Sequence, residues 1–184
     1  MFKNRKRKNG FTLVELLVVI AIIGILAAVV APNAFKAIEK SKVSAAESDY
    51  RAIKTAALTY YSDTGAWPVD TADSVGFVTL PTTGTGAKQV TSTVNSSWNG
   101  PYIERWPSKN PWGGSYVYHI LASPPTGVGL SSTTKYIQLD NVNNEAIKKL
   151  EADLDGGSDT TSSSTGVVRF AASGTTCYLV ISDQ

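Results

Sequence analysis

At 184 residues the chain has room for one modest domain plus an N-terminal segment. The formal charge of +2 belongs to the N-terminus: five of the 17 Lys and Arg lie before Gly10, and the remaining 12 face 15 Asp and Glu, a balance of −3. That balance gives no footing for nucleic-acid binding, and a single cysteine, Cys177, excludes an internal disulfide framework.

The first element is the most unusual. Lys3, Arg5, Lys6, Arg7 and Lys8 form a basic stub, followed by Gly10-Phe11-Thr12-Leu13-Val14-Glu15 and then sixteen residues, Leu16 to Ala31, without a polar side chain, closed by Pro32. Residues 11 to 31 span about 30 Å as a helix, enough to cross a bilayer. The basic stub orients such a segment with its N-terminus in the cytoplasm. An ordinary secretory signal also begins this way. Against it stand the length of the apolar run, the absence of a clean small-x-small site before Pro32, and Glu15 at the entrance of the run. A carboxylate within a membrane segment costs on the order of 2.5–3.5 kcal/mol, so it implies a purpose and a partner.

Helical patterning resumes directly after Pro32. Val43, Ala46, Tyr50, Ile53, Ala57 and Tyr60 recur at steps of three and four. The spacing predicts one helix from about Phe11 to about Ser62, apolar all round in its first half and amphipathic in its second, with Gly24 and Pro32 as the places where it should bend or fray. Asp63 to Gly114 reads as a long loop rich in Thr, Ser, Gly and Pro that holds all four tryptophans, Trp67, Trp98, Trp106 and Trp112. Strands are predicted at Ser115–Leu121, Lys135–Leu139, Val167–Ala171 and Thr175–Ile181, the last two joined as a hairpin. Asn144 to Leu154 reads as a short helix capped by Asn143 or Asn144 and stopped by Gly156 and Gly157. The Ser/Thr-rich tract from Ser158 to Gly166 reads as an exposed loop. The sum is an α+β chain: residues 1–10 a leader, 11–34 an apolar membrane helix, and 35–184 a globular domain. That domain comprises an amphipathic helix half (35–62), an aromatic loop (63–114), and a sheet with one short helix (115–184).

Little in the chain points to catalysis. His119 is the only histidine and falls in a strand pattern; Cys177 alternates with core positions in the last strand. No nucleophile motif or phosphate-binding glycine loop is present, so no enzyme activity is expected. Asp140, Asn141, Asn143, Asn144 and Glu145, or Asp153, Asp155 and Asp159, carry oxygens suited to calcium, but their spacing matches no calcium loop. Capping and solubility explain them better, and no cofactor is expected. The tryptophans are expected to cover the helix and stiffen the loop, with a sugar- or partner-binding surface as the alternative.

The Gly10-Phe11-Thr12-Leu13-Val14-Glu15 block before an apolar run resembles the processing site of type IV prepilins and of the related type II secretion pseudopilins. The resemblance is strongest over residues 1 to about 68. Ala46–Tyr50 and Ala57–Gly65 resemble pilins of Gram-positive, clostridial type. Gly100-Pro101-Tyr102 with Asn110-Pro111-Trp112-Gly113 is similar to a loop of major pseudopilins, which place Asp where this chain has Asn110. The resemblance implies the pilin fold, a long helix on an antiparallel sheet of about four strands. It also implies cleavage between Gly10 and Phe11, N-methylation of Phe11, an assembly role for Glu15, and a helix kink at Pro32. Implied partners are other copies of the chain or other pilins, a prepilin peptidase, an assembly ATPase, a platform protein and the membrane. The implied location is the cytoplasmic membrane for the precursor and a surface filament after assembly. A pseudopilin is the alternative, and a membrane-anchored or secreted binding module is the alternative of another class.

Overall fold

A computed structural model describes residues 10–69, 76–78, 96–120, 125–157, 164–172 and 174–183. The element order is α1 (Leu13–Thr64), β1 (Tyr116–His119), β2 (Lys135–Leu139), α2 (Asn144–Asp155), β3 (Val168–Phe170) and β4 (Cys177–Ser182). These are the elements expected from the sequence, each within a few residues of its predicted bounds; residues 158–163 of the Ser/Thr tract lie outside the described residues. The chain divides into two units after Lys40.

In the unit that begins at Ser41, α1 buries Val43, Ala46, Glu47, Tyr50, Ile53, Ala56, Ala57 and Tyr60, one stripe at helical spacing. The stripe packs against an antiparallel sheet of order β1-β2-β4-β3. The register explains why the sheet has one apolar face. Tyr118 pairs with Ile137, Ile137 with Leu179, and Leu179 with Val168. Two residues along, Tyr116 pairs with Leu139, Leu139 with Cys177, and Cys177 with Phe170. Because side chains alternate across a strand, these two rows share a face, and all eight residues are buried in one core with the α1 stripe. Cys177 lies inside this core and burial pushes its thiol pKa up to about 12, so it behaves as a small apolar side chain.

Two tyrosines fasten α1 to the sheet by hydrogen bonds that cross the core. The Tyr50 hydroxyl donates to the Val180 carbonyl at 2.5 Å, and the Tyr116 hydroxyl donates to Asp49 Oδ2 at 2.8 Å. Burial raises both phenols above their ordinary pKa. α2 is closed at both ends as expected: the Asn143 side chain accepts from the Ala146 amide, and Gly156 takes a left-handed conformation at φ 65°.

The aromatic region is built into the core. Phe77 is fully buried, 5.2 Å from Trp106 and 5.2 Å from Tyr118 between ring centroids, and its carbonyl accepts from the Tyr102 amide at 2.7 Å. Asn110 is the hub of the turn before β1. Its Oδ1 accepts from the amides of Trp112 (3.0 Å) and Gly114 (3.1 Å), while its Nδ2 donates to the carbonyls of Asp140 (2.6 Å) and Ser115 (3.4 Å). Gly114 belongs to the same device: a Cβ there would stand 2.0 Å from the Asp140 carbonyl oxygen. The side chain at 110 must therefore donate and accept at once. Asn110→Asp offers only acceptors to two carbonyls, and should destabilise the fold by about 1–3 kcal/mol. Urea denaturation of detergent-solubilised protein checks this, and an unchanged midpoint would contradict it.

Glu47 stands out on the α1 stripe as a buried acid, held by Arg51 at 3.1 Å. Desolvation, and then the nearby Asp153 carboxylate of α2, raise its pKa above 4.5, with Arg51 acting in the opposite sense. The native state thus binds this proton more tightly than the unfolded chain. The associated stability is complete below the ordinary glutamate pKa and is lost as pH rises through the raised native value. Glu47→Gln should therefore gain on the wild type in denaturation midpoint as pH rises above the ordinary glutamate pKa and through the raised native one. A pH-independent difference between the two proteins would contradict the assignment.

Candidate functional site

The N-terminal half of α1 has no core to join. Sixteen large apolar side chains from Phe11 to Ile38 are exposed, none of them below 46%. Within it an 18-residue window of mean hydropathy 3.1 has none of its residues buried. Transfer of such side chains out of water is worth about 1.5–3 kcal/mol each, and tens of kcal/mol together. A surface of that kind must be covered by lipid or by other protein. The helical assignment runs unbroken through Gly24 and Pro32. Pro32 lacks an amide donor, so the Ala28 carbonyl one turn earlier loses its usual partner there.

At the head of this helix the predicted site residues come together. Gly10 and Phe11 are exposed in irregular backbone just before α1. Thr12 and Glu15 close on each other. The Thr12 amide donates to Glu15 Oε2 at 2.8 Å, the Thr12 hydroxyl donates to the same oxygen at 2.7 Å, and the Glu15 amide donates to Thr12 Oγ1 at 3.2 Å. This is a capping box: threonine before the first turn, glutamate three residues on, each satisfying the other's backbone. Glu15 was expected from the sequence as the odd charge in an apolar run. Thr12 was not singled out, although Thr-x-x-Glu ahead of an apolar run is itself a signature of a helix start.

The geometry has two chemical consequences. The carboxylate sits in the first turn, where exposed amides and the helix dipole favour negative charge. It also receives two donors from its own chain, which lowers the cost of holding it in an apolar environment. Among the described residues its hydrogen-bond donors are the amide and hydroxyl of Thr12.

The other candidate groups are used elsewhere. Asp140 accepts from Ser115, Gln138 and Thr176, Asp155 caps the amides of Val167 and Val168 at 2.8 Å each, and Asn141 donates to the Trp112 carbonyl. Asp159 lies outside the described residues. No group of three or more His, Cys, Asp or Glu among the described residues is arranged to hold a metal ion. His119 packs at 5.0 Å on Tyr136, its cross-strand partner. Arg169 is a buried cation that sequence reasoning passed over; it pairs with Asp183 at 3.1 Å and donates to the Gly129 carbonyl, tying the ends of β3 and β4 together.

Comparison with known proteins agrees with this division of labour. Residues 5–31 match the prokaryotic N-terminal methylation motif, and residues 37–124 match the family described as PilW, C-terminal. The chain is 35% identical to type II secretion system core protein G of Pseudomonas aeruginosa over 115 residues, 62% of this chain and 75% of that protein. It is 44% identical over 71 residues to the type IV major pilin protein PilA of Myxococcus xanthus, 39% of this chain and 32% of that one. With the fimbrial protein EcpC of Eikenella corrodens it shares 48% identity over 65 residues, 35% of this chain and 42% of that one. No solved structure matches the chain.

Thr12→Val would remove both side-chain bonds of the capping box. The first turn should lose about 1 kcal/mol, so amide exchange at Leu13 to Leu16 in detergent micelles should rise roughly fivefold. Unchanged protection would show that the box does not hold the helix start.

Proposed function

This chain belongs to the type IV pilin and pseudopilin family, and on that premise we propose that it is the structural subunit of a type IV pilus filament. It is made as a single-pass membrane precursor, cut by a prepilin peptidase between Gly10 and Phe11, methylated on the new Phe11 amine, and added to a growing fibre by an assembly ATPase and a platform protein. It is not an enzyme; the covalent chemistry belongs to those partners, and the reading needs no cofactor. The observation that carries it is the junction at the head of α1, where the Gly-Phe-Thr-Leu-Val-Glu block opens a helix whose apolar surface lies wholly unburied.

The mechanism follows from the energetics. Before assembly the apolar half of α1 is dissolved in lipid, and in the fibre it lies against the same segment of neighbouring subunits. Both surroundings are apolar, so transfer between them costs little. Specificity then rests on charge. Cleavage gives Phe11 a free amine, and Glu15 supplies the carboxylate to pair with that amine on a neighbour. An unpaired charge in such surroundings is strongly disfavoured, which fixes the register. The contact is head-to-tail and does not close, so repetition of it builds a helical fibre.

A second reading, a major pseudopilin of a type II secretion or competence system, draws support from the relative that covers most of its own length, core protein G. Deleting the chain separates the two: a pilus subunit removes surface filaments, whereas a pseudopilin removes secretion or DNA uptake.

Two substitutions test the mechanism. Gly10→Val should leave the full-length precursor in the membrane. Glu15→Val should permit membrane insertion and folding of the 41–184 unit, and cleavage upstream should persist. At equal membrane levels its yield of sheared filament should fall at least tenfold, the loss of a charge-assisted contact made only on docking. Wild-type filament yield from Glu15→Val would leave helix packing as the sole determinant of assembly.

A further inference from the structure

The apolar half of α1 is bordered at its C-terminal end by cations. Residues 16–46 hold three lysines, Lys36, Lys40 and Lys42, against one acid, Glu39, a balance of +2. At the other end, once the basic stub is cut away, the Phe11 amine and the Glu15 carboxylate balance each other. Cations on the side of a membrane helix opposite the basic stub work against the usual orientation rule, so their presence calls for a compensating contact.

Their depth fits a lipid headgroup. α1 runs unbroken from Leu13, so at ~1.5 Å per residue Lys36 lies about 35 Å and Lys40 about 40 Å along the helix from that point. A hydrocarbon core is about 30 Å thick, and a bilayer with its headgroups about 40–45 Å. With Leu13 at one edge of the hydrocarbon, Lys36 falls in the opposite headgroup layer. Lys40 falls just beyond it, from where a long helical side chain, tilted toward the N-terminus, reaches back. Both lysines are exposed, and so at the same depth are Phe35 at 71% and Ile38 at 54%. Cations beside large apolar side chains match the phosphates and the acyl boundary of one lipid layer.

Lys36 and Lys40 also stand four residues apart, on one face of the helix. Like charges at that spacing repel. A phosphate against both ammoniums relieves the repulsion and adds charge-assisted contacts. A zwitterionic headgroup brings its own ammonium to the same place, whereas an anionic one does not, so charge complementarity favours the anionic lipid.

We propose that Lys36 and Lys40 hold the headgroup of an anionic phospholipid in the leaflet where the apolar segment ends. This rests on the reading of the chain as a membrane precursor, and adds to it the class of lipid that the unassembled subunit selects.

The test uses the full chain in phosphatidylcholine vesicles that contain phosphatidylglycerol. Ala37→Cys places a thiol at an exposed position beside the two lysines; the native Cys177 is buried, so a fluorophore can be attached at residue 37 alone. Quenching is compared for two spin-labelled lipids at equal mole fraction that differ only in headgroup, glycerol or choline. Residue 37 is about 36 Å of helix from Leu13, which keeps the basic stub out of the reading. The glycerol lipid should quench at least about threefold more strongly, and the ratio should fall toward one as salt is added. Lys36→Gln and Lys40→Gln together should bring the ratio to about one at low salt, with quenching by the choline lipid unchanged. Both positions precede the 41–184 unit, whose thermal midpoint should stay at the wild-type value.

Equal quenching by the two lipids, or a preference that survives both substitutions, would overturn the proposal and leave the membrane reading intact. Quenching by neither lipid would overturn both. Soluble glycerol phosphate that abolishes the preference at matched ionic strength would overturn it in favour of a free-anion site. Self-association that the two substitutions abolish, without a headgroup preference, would overturn it too and assign the lysines to a contact between copies.

Discussion

Everything in this chain is arranged around an apolar surface that it cannot bury for itself. From Phe11 to Ile38, α1 presents large aliphatic and aromatic side chains on every side, and none of the most apolar stretch is covered by the chain's own residues. Tens of kcal/mol of transfer free energy forbid water as its long-term environment. The alternatives are lipid and other copies of similar helices. A protein that must exchange one for the other needs a mark of register within an otherwise uniform surface. In the proposed assembly Glu15 is that mark, and its bonds from Thr12 lower the cost of carrying the carboxylate in lipid.

The 41–184 unit solves a different problem, how to hold an exposed domain together without a disulfide. Its answer is one continuous core. Two rows of side chains run straight across four strands, and the second half of α1 lies on them with alanines at 46, 56 and 57 where close approach is needed. Two tyrosine hydroxyls within this core, those of Tyr50 and Tyr116, are satisfied by acceptors across it. The aromatic segment then seals the β1 side through Phe77 and Trp106. Most of the aromatic surface that might be taken for a recognition patch is therefore structural. Among the described aromatic side chains of this unit, Tyr61 is the one left largely exposed.

Much of this was legible in the sequence, for reasons that differ by element. The helix from residue 13 to 64, the four short strands and the capped α2 follow from local signals: a stripe at steps of three and four, alternation, an asparagine before and a glycine after. Glu15, the residue proposed to guide assembly, stands out because it violates the pattern around it. What stayed hidden depends on contacts remote in sequence. Asn110 looked like a turn residue, and only its proximity to Asp140, thirty residues away, reveals a side chain that must donate and accept. Arg169 lies on β3 and Asp183 directly after β4, strands whose pairing the local pattern suggests but whose register it does not supply. Glu47 reads from the sequence as an acid lying off the apolar stripe, and the structure corrects this: it is buried with the stripe, with Asp153 near it from another helix.

The proposed assembly requires the chain to mature so that the Phe11 amine is exposed and Glu15 has an amine to seek on a neighbour. Mass spectrometry of filaments sheared from the cell surface tests it most directly. The expected result is an N-terminal peptide that begins at Phe11 and carries one added methyl group, with no residue before it. Filament subunits that retain Gly10 and the basic stub, or that begin after Ala31, would contradict it.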